Sequence, residues 1–169
     1  MLENELNYLK AAKLIKNARS IVLLAGAGMS ADSGSPIYED PKTLVNDFPE
    51  LAVEGITSYN EIAKAKWFTL KPKIAWLFAN STKNNYLQSE PHAGYNILKA
   101  WLDTKHTSFT VTTNVDGAFI RSGFEEVLEI HGNHFQLQCT NNCHNETWSI
   151  DSKMSNTDAM PTCPHCGVI

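Results

Sequence analysis

Four cysteines, all that the chain has, stand as two close pairs: Cys139-Thr-Asn-Asn-Cys143 and Cys163-Pro-His-Cys166. Thiolates at these spacings form two short knuckles that converge on one ion. Four sulfur donors select tetrahedral, closed, structural zinc (Zn²⁺). The other reading of the same spacing is two disulfides. On the zinc reading, residues 136–169 form a small metal-binding module whose folding energy comes largely from the ion.

Composition narrows what such a module is attached to. At 169 residues, with 43% apolar and 19% charged residues, the chain has room for one core plus an appendage. The net charge of −4 and the lack of a basic tract argue against nucleic acid and against an anionic membrane as partners. The opening Met1-Leu-Glu-Asn-Glu-Leu6 lacks the basic flank and apolar centre of a signal peptide. The apolar run from Ile21 to Ala25 is too short to span a bilayer. The expectation is a cytoplasmic protein, in which thiols stay reduced and available to metal.

Leu6, Leu9, Ala12, Leu14, Ile15 and Ala18 recur at helical spacing, so residues 4–18 read as an amphipathic helix. Ser20-Ile-Val-Leu-Leu-Ala25 reads as a strand buried on both faces, and a helix should start inside Gly26-Ala-Gly-Met-Ser-Ala31. Ser35-Pro36 and Asp40-Pro41 break the chain. Residues 41–87, dense in Trp67, Phe68, Trp76 and Phe78, read as a helical insertion. Pro91 to Leu102 reads as a helix with Pro91 in its first turn. Ser108 to Thr113 and Glu126 to Ile130 read as two more buried strands, the last ending at His131-Gly132. Strands alternating with helical stretches predict an α/β class with a parallel sheet, its core drawn from 1–40 and 88–135. A sheet of about three strands is thin for that class, so the chain reads as a truncated core.

Three strand ends carry the chemistry. Gly26-Ala-Gly-Met-Ser-Ala31 after a strand fits the dinucleotide fingerprint, in which glycines let backbone amides approach a pyrophosphate. A plain strand-to-helix turn is the alternative. No acidic residue ends a second strand at the usual ribose-binding distance; Asp47 and Glu50 lie near it in a Pro-flanked context. Thr112-Thr-Asn114-Val-Asp116-Gly117 closes the second strand and His131-Gly132 the third. Ligands of open α/β sheets bind beyond the carboxyl ends of strands, so these residues point to one crevice.

Together these motifs resemble the sirtuins, NAD-dependent protein deacylases. The family's G-A-G-x-S-x-x-S-G-I-P is matched by Gly26 to Pro36, with Ser30 and Ser33 in the serine positions. Its T-Q-N-I-D-x-L is matched by Thr112 to Ala118, its catalytic H-G by His131-Gly132, and its Cys₄ ribbon by the four cysteines. Pro91-His-Ala-Gly-Tyr95 and Cys163-Pro-His-Cys-Gly167 look most like a divergent bacterial branch. The match covers the N-terminal portion of a sirtuin; in the family a further strand–helix portion follows and completes the adenosine pocket. The resemblance therefore implies a Rossmann-like core with little turnover from the 169 residues alone.

The resemblance also implies roles. Gly26, Ala27, Gly28, Ser30 and Ser33 would hold the diphosphate and ribose of NAD, Tyr38 would shield nicotinamide, and Asp116 would bond its carboxamide. Asn114 would place the ribose or a water, and His131 would be general base on the ribose hydroxyls. Cys139, Cys143, Cys163 and Cys166 would bind structural zinc, and an acyl-lysine protein or peptide would be the substrate. The chain departs from the family in Ser35, Thr113 and Phe119, and in Glu39, an anion where the family has an arginine. Glu39 would weaken NAD binding unless it faces away from the diphosphate. NAD glycohydrolase, ADP-ribosyltransferase and inactive zinc-stapled binding module are the alternative functions.

Overall fold

The computed structural model describes residues 2–35, 41–150 and 160–168. Tyr38 and Glu39 lie outside the described residues. The chain divides into two compact units, Met1–Ser33 with Pro91–His131, and Gly34–Glu90 with Gly132–Ile169.

The first unit is built on α1 (Leu2–Asn17), β1 (Ser20–Ala25) and α2 (Ala27–Ala31). The second unit begins with α3 (Pro41–Asp47), α4 (Pro49–Val53), α5 (Tyr59–Ile62), α6 (Lys66–Leu70) and α7 (Pro72–Gln88). The first unit then continues with α8 (Ala93–Leu102), β2 (Thr107–Thr112), α9 (Ala118–Arg121) and β3 (Val127–Glu129). The second ends with β4 (Gln136–Leu137) and β5 (Trp148–Ser149).

In the first unit the strands pair in parallel in the order β1-β2-β3. Ala25 lies opposite Thr112, and Thr112 opposite Glu129, so all three strands end level. This register sets the glycine turn, the Asn114 segment and His131 side by side at one edge. The core lies on a single face of the sheet. Tyr95 and Leu102 of α8, Ala118 and Phe119 of α9, and Phe124 pack with Ile21, Leu23 and Ala25. Tyr95, Phe119 and Phe124 stack edge to face at 4.9 and 5.0 Å, a geometry that adds to simple burial.

The opposite face corrects the expectation of a strand buried on both sides. Val22 is 64% exposed and Leu24 75%, and across the register Phe109, Leu128 and Ile130 are also exposed. An apolar run without alternation signals two buried faces, but the helices packed against the sheet among the described residues lie on one side. The apolar positions of α1 likewise stay open: Leu6, Leu9 and Leu14 are exposed. Helical spacing fixed that element's conformation without deciding what it packs against.

A second correction concerns α8. Pro91 precedes the helix, and His92 is its N-cap. The His92 backbone is extended, at φ −66° and ψ 165°, and its Nδ1 accepts the Gly94 amide at 3.0 Å. A ring nitrogen here fills the place usually taken by a Ser, Thr, Asp or Asn oxygen.

In the second unit Pro49 and Pro72 start α4 and α7 at the position where a missing N–H costs nothing. Leu44, Phe48, Leu51, Ile56, Ile62 and Phe78 form its core, with Tyr59, Trp67 and Ile74 alongside. The aromatic density of residues 41–87 is therefore core-forming. β4 and β5 pair antiparallel, Gln136 with Ser149 and Leu137 with Trp148. No helix among the described residues is long and apolar enough to cross a membrane.

Candidate functional site

Two clusters collect the residues singled out from sequence, one in each unit. In the first, Gly26 caps α2 from an extended conformation at φ −130°. Gly26, Ala27 and Gly28 are exposed, and a Cβ at Gly28 would meet nothing within 4 Å. The turn thus presents bare backbone to open space, the requirement for close approach of a diphosphate.

Ser30 ties this turn to the end of β2. Its Oγ donates to Asp116 Oδ2 at 2.5 Å and accepts from Asn114 Nδ2 at 2.9 Å. The same Asn114 amide donates to the Gly26 carbonyl at 3.0 Å. Asp116 Oδ1 accepts the Ala118 amide at 3.0 Å and so organises the start of α9. Gly117 between them sits at φ 63°, the left-handed region that glycine enters without steric cost. Ser30, Asn114 and Asp116 are all buried, and buried polar groups at a strand end are tolerated because each finds a partner.

Further side chains hold the frame. Thr112 Oγ1 accepts the Asn114 amide at 3.0 Å, turning the chain out of β2. The Thr113 amide donates to the Ala25 carbonyl and the Ile130 amide to the Thr112 carbonyl, each at 3.1 Å. The His92 amide donates to Ser33 Oγ at 3.1 Å, and His92 Nε2 lies 3.1 Å from the Met29 carbonyl. Since Nδ1 is an acceptor, Nε2 carries the proton, and His92 latches α2 to the start of α8. Burial pushes the Tyr95 phenol up from its ordinary range. His131 follows β3, exposed, at the same edge.

Gly26, Ser30, Asn114 and Asp116 are therefore joined by direct hydrogen bonds, Ser33 is bound to His92, and His131 stands at the adjacent strand end. Sequence reasoning missed His92 and the Thr112 side chain. The signal for His92 was a polar residue two positions before a glycine at a helix start.

The second cluster is the cysteine set. The Sγ atoms of Cys139 and Cys166 lie 3.6 Å apart, and those of Cys143 and Cys163 3.7 Å. A disulfide needs about 2.05 Å, and all four thiols are free. A tetrahedron with Zn–S bonds of about 2.3 Å has edges of about 3.8 Å. The four sulfurs, all within 4.8 Å of one another, match that size. Each knuckle closes on its own backbone: the Asn142 amide donates to the Cys139 carbonyl at 3.1 Å, and Gly167 to Cys163 at 2.9 Å. Asn142 at φ 48° and Gly167 at φ 72° make these turns possible.

Cys139, Cys143 and Cys163 are displaced in different directions. The Cys143 amide, ahead of its thiol and the Asn141 amide, holds Cys139 down at about 6 despite burial. Burial opposes ionisation of Cys163, but the Cys166 and His165 amides and the His144 ring outweigh it and lower its pKa. Burial and the neighbouring sulfurs push Cys143 far up. Four crowded sulfurs cannot all ionise without a cation among them; a divalent ion supplies that charge, so the donor set fits zinc.

A three-stranded parallel sheet with a glycine turn and polar strand ends at one edge defines a Rossmann-like α/β core. Residues 26–169 match the model of the Sir2 family, and the chain belongs to that family. The NAD-dependent protein deacylase of Aquifex aeolicus is 31% identical over 149 residues, spanning 88% of this chain and 57% of that protein. The Aeropyrum pernix protein of the same name is 29% identical over 158 residues, spanning 94% of this chain and 59% of its own. The crystal structure of a Sir2 homologue in complex with NAD superposes with a TM-score of 0.76 at 23% identity, over 95% of this chain and 58% of that one. The chain thus spans under two thirds of the length of these relatives.

Proposed function

We propose that this chain carries the nucleotide-binding and catalytic residues of a cytoplasmic NAD-dependent protein-lysine deacylase, with structural zinc in its Cys₄ module. The observation that carries the reading is the joining of the exposed glycine turn to Asn114 and Asp116 through the Ser30 hydroxyl. In this reading the glycine turn and the Asn114–Asp116 segment of one nucleotide site share a hydrogen-bond network before any ligand arrives, and pre-organisation of that kind lowers the cost of binding.

Gly26, Ala27, Gly28, Ser30 and Ser33 would hold the diphosphate and ribose. Asp116 would accept a bond from the nicotinamide carboxamide on lone pairs left over from Ser30 and Ala118. Asn114 would position the ribose or a water, and Tyr38 belongs to the set by resemblance. His131, exposed at the β3 end, would take a ribose hydroxyl proton, as an imidazole can near neutral pH. NAD, when bound, supplies the ribose carbon that accepts the acyl oxygen of the substrate lysine as nicotinamide leaves. Cys139, Cys143, Cys163 and Cys166 would hold the zinc in a structural role.

The test is nicotinamide release, with and without an acyl-lysine peptide, by a protein in which this chain is joined to the C-terminal portion that its relatives carry; the 169 residues alone should show little turnover. Peptide-dependent release with an O-acyl-ADP-ribose product is expected, and His131→Gln should lower it by about a hundredfold or more. Peptide-independent release of free ADP-ribose would replace the deacylase reading with a glycohydrolase. Full activity in His131→Gln would remove that residue from the mechanism.

A further inference from the structure

We propose that His144, Glu146 and His165 form a second divalent-cation site on the zinc module, exposed to solvent and suited to a borderline transition-metal ion such as Zn²⁺. The inference rests on the reading of the four cysteines as the first metal site. Its origin lies in sequence: His144 follows Cys143 and His165 precedes Cys166. Whatever draws Cys143 and Cys166 to one ion also draws their histidine neighbours together. In the structure the His144 and His165 rings lie 4.1 Å apart at 44°. One ligand atom from each of His144, Glu146 and His165 falls within 4.8 Å of the others.

Two imidazoles and a carboxylate are a donor set for zinc, copper or iron, in contrast to the soft sulfur set beside it. Glu146 and His165 are exposed and His144 half-buried, so water can complete the coordination shell. His144 is held in place beforehand: its Nδ1 accepts the Glu146 amide at 3.2 Å, and its Nε2 lies 3.4 Å from Cys163 Sγ. The second contact is of ordinary length for a hydrogen bond to sulfur, so a metal bond at Nε2 forms in exchange for it. The His165 amide donates to Cys163 Sγ at 3.4 Å, fixing the other knuckle. Occupation of the thiolate site therefore positions both imidazoles of the second site. Exposure and the small ligand count make the second ion weaker-binding than the first.

Titration of the reduced, metal-free protein with Co²⁺ separates the two sites. The first equivalent should give intense near-ultraviolet thiolate charge transfer. The second should add weak visible bands and no further charge transfer. In His144→Ala/His165→Ala the second equivalent should bind at least tenfold more weakly while the first keeps its charge-transfer band, which also reports a folded module. Glu146→Gln should weaken the second equivalent alone. Saturation of the native protein at one equivalent, or a second equivalent unchanged in the double variant, would overturn the proposal. Absence of the thiolate band at the first equivalent would overturn the Cys₄ reading and this one with it.

Discussion

The Ser30 hydroxyl donates to the Asp116 carboxylate at 2.5 Å, across 86 positions of sequence. This bond closes the glycine turn after β1 onto the end of β2 and leaves the Asn114 amide spanning Ser30 and Gly26. Removing the hydroxyl strips a buried carboxylate and a buried amide of one partner each. Ser30→Ala should cost about 1–3 kcal/mol, read from the urea midpoint at unchanged m-value. A loss too small to resolve would mean the network adds no stability.

His92 and Gly94 make a sharper pair. A Cβ on Gly94 would lie 2.4 Å from His92 Cε1 and 2.8 Å from Nδ1. Gly94→Ala must expel the ring from the helix cap and from Met29, offsetting what alanine gains inside a helix. In a His92→Ala background only that gain, about 1 kcal/mol at most, remains. The same substitution should therefore destabilise the native sequence relative to its effect in His92→Ala, with a coupling of about 1 kcal/mol. Additive effects in the double-mutant cycle would show that the ring does not cap α8.

Metal removal should act locally. β4 and β5 contribute two residues each, far too little sheet to stand alone. Chelation, or Cys163→Ser, should collapse the amide dispersion of residues 135–150 in nitrogen–proton spectra, because binding energy of about 10 kcal/mol or more is folding energy in such modules. Retained dispersion after complete zinc removal would contradict it.

Glu61 offers a pH test. Lys64 and Lys66 each donate to its carboxylate at 2.8 Å, and those bonds hold its pKa down at about 2 from the ordinary 4.5. The folded value lies below the unfolded one, so the stabilisation is present above pH 4.5 and disappears as pH falls through about 2. The carboxyl carbon shift of Glu61 should titrate near 2 at low salt and move upward as salt screens the lysines. A midpoint at the ordinary value would show that the pairs do not persist in solution.

Sequence by itself determined the parts whose causes are local. Apolar runs closed by glycine gave β1 to within its ends, alternation of strands with helical stretches gave a parallel sheet, and paired cysteines gave the cluster of four close thiols. The order of the motifs gave the family. Tertiary structure decided what depends on partners distant in the chain: that Ser30 bridges to Asp116, that Val22 and Leu24 face outward, and that His144 meets His165. A run such as Ile-Val-Leu-Leu specifies extended backbone, whereas burial of each face depends on which helices dock there. Pro91 shows the same division on a smaller scale. Its fixed φ suits a first helical turn, yet the helix begins two residues later, because the His92 ring accepts the Gly94 amide and is held by Met29, a residue from another element.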